Sequence, residues 1–302
     1  MAEQMCRVSS EIELCWEGFG DCGNPPLLLV MGLATQMIAW PEELCGELAD
    51  RGFYVVRFDN RDAGRSTHVR GRPPTVGQIM RRSRKPARYT LADMAGDTVG
   101  LLRELDLGPA HVVGASMGGM IAQTVAARHP QWTRSLVSIM STTGGRWVGQ
   151  PSPLLYPLFL RRPGEGREAA VSRTVKVFKA IGSRGLPNDL ELIREVAERS
   201  YDRDHDPSGP GRQLAAILAS GNRTGELRRI TAPTTVIHGT DDRMVAPSGG
   251  RATARAIPDA RLVVIDGMGH DLPRAAWPRI VDAIVSNAAR ATEAPTASGT
   301  AA

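Results

Sequence analysis

The chain has 302 residues, 42% of them hydrophobic, which suits one large core with a modest insertion and argues against two equal domains. Its formal charge of +5 comes from 37 basic and 32 acidic residues spread along the sequence, so composition gives no sign of a nucleic-acid partner. No stretch approaches a membrane span and residues 1–10 lack an apolar run of signal-peptide length, so the expectation is a cytoplasmic protein with no stable membrane insertion.

Two short strands open the chain, over residues 5–10 and 11–16, with Ile12, Leu14 and Trp16 alternating against Glu11, Glu13 and Glu17. The four cysteines, Cys6, Cys15, Cys22 and Cys45, fit no zinc spacing and read as reduced, buried small hydrophobes. Residues 27–31 are apolar without alternation, as in a strand covered on both faces. A helix over 42–51 and a strand over 53–58 follow. After the polar turn Asp59 to Ser66, residues 67–88 are rich in arginine and proline and read mostly as loop. Within them Arg81-Arg82-Ser83-Arg84-Lys85 is the one dense basic run, read as a solvated loop, with contact to an anionic lipid surface or an acidic substrate group as the alternative. Thr90 and Asp93 form a capping pattern ahead of a helix over 90–107, and Gly108-Pro109 ends it.

The next stretch organises the rest. Residues 110–113 read as a buried strand and 119–128 as a helix, and Gly114-Ala115-Ser116-Met117-Gly118 joins them. A strand that turns sharply into a helix leaves its central residue strained, and the flanking glycines remove the side chains that would collide there. Ser116 then sits exposed at the tip, beside the free N–H groups of the helix start, as a nucleophile would. The plainer reading is a serine that only caps the helix.

Residues 135–140 form another strand. From 142 to about 222 the strand pattern gives way to amphipathic segments at 169–181 and 189–198, read as an inserted helical cap. Leu154, Leu155, Leu158, Phe159 and Leu160 cluster there, and packing of the cap onto the body is the favoured reading over contact with an apolar substrate. A strand at 234–238, a helix at 248–257, a strand at 261–265 and a helix at 276–289 complete an α/β pattern with a mostly parallel sheet. The expected division is a core of residues 1–141 and 223–290, a cap of 142–222 and a disordered tail of 291–302.

In such sheets the active crevice lies at the carboxyl ends of the strands. Two polar turns qualify as partners of Ser116: the one holding Asp241 and Asp242, and the one holding His270. His270, flanked by Gly269 in a loop after the last strand, is the favoured base over His238, which sits inside a strand where a core histidine is ordinary. The order serine, acid, histidine is the one an α/β-hydrolase uses.

The elbow at Ser116, the Gly239-x-x-Asp242 turn and Gly267-Met268-Gly269-His270 together resemble the α/β-hydrolase superfamily over nearly the whole chain. Val30-Met31-Gly32-Leu33 with Trp40, Arg57-Phe58-Asp59-Asn60-Arg61-Asp62 with Gly64-Arg65-Ser66, and Tyr89-Thr90-Leu91-x-Asp93-Met94 resemble the aclacinomycin methylesterase-like group and mycobacterial lipase/esterase-type serine hydrolases. The resemblance implies a Ser116-His270-Asp242 triad, with Asp241 as a turn residue. It implies an oxyanion hole from the backbone N–H groups of Leu33 and Met117, with Met31-Gly32 standing where His-Gly is commoner. It implies a serine esterase acting on a small-molecule ester without cofactor or metal. The alternatives are a C–C bond hydrolase, a cofactor-free perhydrolase, or a ligand-binding protein on the same fold.

Overall fold

The computed structural model describes residues 2–81, 83, 85–160, 164–187 and 189–293, with only the backbone of Met80, Leu160 and Glu293. An eight-stranded sheet runs through it in the order β1-β2-β4-β3-β5-β6-β7-β8. The strands are β1 (Gln4–Arg7), β2 (Glu13–Phe19), β3 (Pro26–Val30), β4 (Tyr54–Phe58), β5 (Ala110–Ala115), β6 (Thr133–Ile139), β7 (Thr234–Gly239) and β8 (Arg261–Ile265). From β4 to β8 every neighbouring pair is parallel, whereas β2 runs antiparallel to both β1 and β4.

The unbroken apolar runs are explained by cover on both faces. Leu28, Val30, Val56, Phe58 and Val112 pack on one side with Leu101 and Ile121, while Leu27, Leu29, Val55, Val113 and Ile139 pack on the other with Leu44 and Ile280. Those partners belong to α3 (Leu91–Glu104) and α4 (Met117–Arg128) on the first face, and to α1 (Glu42–Asp50) and α11 (Trp277–Glu293) on the second. Thr90 and Asp93 form the capping box that their spacing predicts, with the Asp93 carboxylate accepting from Thr90 N at 2.7 Å.

Several expectations change. Cys22 is exposed while the other three cysteines are buried, so the uniform reading of them fails at a surface turn. In β2 Leu14, Cys15 and Trp16 are all buried, because the loop at Met37 and Ile38 covers the face that alternation leaves to solvent. The stretch 67–88 contains α2 (Val76–Met80), held by a Thr75–Gln78 capping box, and Arg82 and Arg84 of the basic run lie outside the described residues. Residues 291–293 continue α11 instead of starting a disordered tail, and 294–302 lie outside the described residues. Of the apolar residues at 154–160 Leu155 is buried, but Leu154 and Phe159 are exposed, so packing explains only part of that cluster.

Between β6 and β7 the chain passes through α5 (Tyr156–Leu160), α6 (Arg167–Ile181), α7 (Leu190–Arg203), α8 (Gly209–Ser220) and α9 (Thr224–Leu227). The two ends of this excursion meet. Arg223 N donates to Thr143 O at 2.8 Å and its guanidinium to Thr142 O at 2.6 Å. Farther out, Arg203 pairs with the fully buried Asp59 at 2.9 Å and with Glu3 at 2.7 Å, and Arg212 with Asp62 at 2.6 Å. The pairs with Asp59 and Asp62 tie α7 and α8 to the turn after β4. Being shielded from water, they need every polar atom of the carboxylates satisfied. Asp59 meets that demand through Met37 N at 2.7 Å and Arg65 N at 3.1 Å.

Candidate active site

β5 ends at Ala115 and α4 begins at Met117, so Ser116 alone makes the turn, with φ 57° and ψ −118°. A positive φ on a non-glycine residue is strained, and here the surroundings hold it: Ser116 N donates to Ile139 O at 2.9 Å, and its carbonyl accepts from Ser141 Oγ at 2.8 Å. A Cβ at Gly114 would lie 2.2 Å from Gly118 O. That close approach requires the glycine at 114.

Ser116 Oγ lies 2.9 Å from His270 Nε2, and His270 Nδ1 lies 2.8 Å from Asp242 Oδ2. The three residues singled out in the sequence are therefore brought together. Asp242 Oδ1 accepts from Met244 N at 2.9 Å and Val245 N at 2.8 Å, which fixes the carboxylate in the turn after β7. Burial pushes this carboxyl up, but the positive charge of His270, with hydrogen bonds from His238 and His270, carries it down to about 2. Asp242 thus stays ionised where His270 needs a partner. Asp241 sits in the turn with its N–H on Met268 O at 2.9 Å.

His238 is not near Ser116 in the hydrogen-bond network. Its Nε2 lies 2.8 Å from Val245 O and 3.3 Å from Asp242 Oδ2, so the residue read as a core histidine reaches the same acid. The His270 loop has supports that sequence reasoning misses. His270 N donates to Ile181 O at 2.8 Å, Gly269 N to Ser183 Oγ at 2.9 Å, and Ser183 Oγ to Asp271 Oδ1 at 2.6 Å. Burial raises the Asp271 carboxyl above its usual range, and the bonds from Ser183 oppose that. Proximity to the conspicuous His270 is the available signal for Asp271; Ser183 lies far away in sequence and offers none.

The loop after β3 lies against the serine. A Cβ on Gly32 would sit 3.1 Å from Ser116 Cβ and 3.6 Å from Oγ. Asn60 Nδ2 donates to Met31 O at 2.9 Å, Thr35 Oγ1 to Gly32 O at 3.0 Å, and Ala34 N to Gln213 Oε1 at 3.0 Å. The backbone N–H groups of Leu33 and Met117 have no intramolecular acceptor among the described residues. The turn from Asp59 to Ser66 braces this loop from below. Tyr89 Oη donates to Asp62 at 2.6 Å and Gln213 Nε2 to Arg61 O at 2.9 Å.

Among the described residues one other cluster has metal-ligand chemistry: single atoms of Asp62, His68 and Asp206 lie within 4.8 Å of one another. The Arg212 guanidinium bonds both carboxylates and already supplies the positive charge there. Among the described residues no helix is long and apolar enough to cross a membrane.

The geometry is matched by similarity. The rhodomycin D methylesterase DnrP of Streptomyces peucetius is 28% identical, over 94% of this chain and 98% of that protein. The putative non-heme bromoperoxidase BpoC of Mycobacterium tuberculosis is 27% identical, over 84% of this chain and 88% of that protein. Among solved structures, the esterase RhEst1 from Rhodococcus sp. ECU1013 superposes with a TM-score of 0.74 at 19% identity, covering 96% of this chain and 99% of that one. The sequence profile of the alpha/beta hydrolase fold family matches residues 25–273, and with the sheet order and elbow described above it places this chain in that family.

Proposed function

We propose that the protein is a serine hydrolase of carboxylic esters, with Ser116 as nucleophile, His270 as general base and then acid, and Asp242 holding His270. The observation that carries the reading is the unbroken relay from Ser116 Oγ through both His270 nitrogens to Asp242, at 2.9 and 2.8 Å. Ser116 Oγ attacks the ester carbonyl as His270 Nε2 takes its proton, and the carbonyl oxygen becomes an oxyanion. The N–H groups of Leu33 and Met117 are the donors for that charge; loss of one such donor typically costs about 10²–10³-fold in turnover. His270 returns the proton to the departing alkoxide, and water, activated by the same imidazole, releases the acid from Ser116.

Residues 142–222 serve in this reading as a cap in which substrate choice lies. A methyl ester of an apolar acid is the first candidate, supported by the likeness to a methylesterase over almost the full length. The likeness to a protein named as a bromoperoxidase supports a second reading, perhydrolysis by the same acyl-enzyme with peroxide in place of water.

Labelling with a fluorophosphonate followed by mass spectrometry of the modified peptide tests the proposal. Modification at Ser116, with turnover of a short-chain nitrophenyl ester lost in Ser116→Ala, supports it. Full turnover in Ser116→Ala refutes it. Halogenation activity that needs a carboxylate and peroxide and far exceeds ester turnover favours the second reading.

A further inference from the structure

Asp242 Oδ2 faces two imidazoles. His270 Nδ1 is 2.8 Å away and His238 Nε2 is 3.3 Å away, and both histidines are nearly buried, at 8% and 2% exposure. The tautomer of His238 follows from its contacts. Val245 O can only accept, so the Nε2 that sits 2.8 Å from it carries the proton. Nδ1 is buried with no partner, and the backbone of Gly250 in α10 (Ser248–Ala256) closes that side so tightly that a Cβ there would lie 2.4 Å from it. Nδ1 therefore has no acceptor within reach, and the contacts of the ring run through Nε2.

His238 also closes a ring of bonds. Val245 is held at its N–H by Asp242 Oδ1 and at its carbonyl by His238 Nε2, so β7 and the 242–245 turn are pinned together through the triad acid itself.

The geometry points to His238 as a positioning residue that acts through Asp242: its Nε2–H, given to Val245 O at 2.8 Å, fixes the turn whose N–H groups hold the carboxylate, and its positive end, 3.3 Å from Oδ2, offsets part of the charge on the oxygen that His270 uses. The role rests on the triad reading proposed above. The ionisable groups that face this pair are Asp242, His270 and His238, with Asp271, tied to Ser183 beside α6, as a further nearby carboxyl. Without the His238 donor, the charge on Oδ2 is left to His270 alone. The imidazolium is then favoured, and the acid limb of activity moves to higher pH.

The test compares His238→Leu with His238→Gln, whose amide nitrogen can reach the place of Nε2. Ester turnover is measured across the pH range, together with fluorophosphonate labelling and melting temperature. The expected result for His238→Leu is a fall in kcat of about 10–100-fold at nearly constant KM, with the acid midpoint of kcat/KM raised by about half a unit. His238→Gln restores most of both. If His238→Leu does not fold, His238→Asn, whose shorter amide stops short of Val245 O, takes its place with the same expectation. A folded Leu or Asn variant whose pH profile and kcat match the parent overturns the role, as does a Gln variant no better than Leu. A parent that is not labelled at Ser116 removes the triad reading and the role with it, whereas a labelled parent with unmoved variants removes the role alone.

Discussion

Gly118 backs directly onto the carbonyl oxygen of Val30: a Cβ at 118 would lie 2.0 Å from it. The obstacle is the backbone of the central strand β3, which cannot swing aside as a side-chain tip would, so α4 would have to leave the sheet. Gly118→Ala is expected to lower the melting temperature and to abolish ester turnover together, as the elbow and the helix start shift as one. Gly46 is the control. It lies in α1 with nothing within 4 Å of the place a Cβ would take, and Gly46→Ala should stabilise by about 0.5–1 kcal/mol through helix propensity. Thermal unfolding of both variants, with turnover measured alongside, decides the matter; equal behaviour would contradict it.

The two adjacent aspartates separate cleanly. Asp242 is 4% exposed and bonded to His270, while the Asp241 carboxylate accepts from the neighbouring Thr240 Oγ1 at 3.5 Å. Asp242→Asn leaves the shape but allows His270 the wrong tautomer, and kcat is expected to fall by about 10⁴-fold. Asp241→Asn should stay within a few fold of the parent. Steady-state kinetics on one ester is sufficient, and a large loss in Asp241→Asn would reassign the acid.

Arg203 is 8% exposed against the fully buried Asp59, 144 residues away along the chain. Arg203→Met leaves that carboxylate without its cation and Glu3 with Arg65 as its remaining partner, a loss of about 3–5 kcal/mol. Adding Asp59→Asn removes the stranded charge, so the double variant should be less destabilised than the two single effects combined. Urea unfolding of the cycle tests this; strict additivity would show that the pair is not coupled.

The sequence carries the sheet and the proposed triad because both depend on local pattern. Strands buried on both faces read as apolar runs, the elbow needs glycines at 114 and 118, and Ser116, Asp242 and His270 each follow a strand at the same sheet end. What stays hidden depends on distant partners. Asp59 with Arg203, Asp62 with Arg212, and Ser183 with Asp271 meet only after folding, and nothing in their neighbourhoods marks one for the other. Helix α8 escapes a pattern reading because Gly209, Pro210 and Gly211 look like breakers, although a proline in the first turn lacks no bond that a helix would make there. His238 reads as a core residue from its strand alone. Its spacing of four from Asp242, across the turn, is the available signal for the contact at 3.3 Å.

Acid sensitivity should centre on a histidine outside the site. His111 in β5 is 4% exposed, with Nδ1 2.9 Å from Ser135 Oγ and its ring edge-on to Phe53 at 5.5 Å. Burial, with a smaller contribution from the charge of Arg134, lowers it from 6.5 to about 4. The native chain therefore keeps this ring neutral until the pH nears 4, while the unfolded chain takes up the proton near 6.5. Between those values the unfolded state binds more protons, so stability falls as the pH falls, and above 6.5 the contribution is fully present. Its size is on the order of 3 kcal/mol. Asp242 acts in a lower window, its contribution present above 3.8 and lost as the pH drops toward about 2, so the two effects do not overlap. His111→Asn, whose amide falls at the place of Nδ1, can keep a hydrogen bond to Ser135 but cannot titrate. Its unfolding free energy, measured in urea at successive pH values, should fall less steeply between 6.5 and 4 than that of the parent, with His129, also lowered by burial, keeping its own share. Parallel curves for the two proteins would show that His111 is not the group responsible.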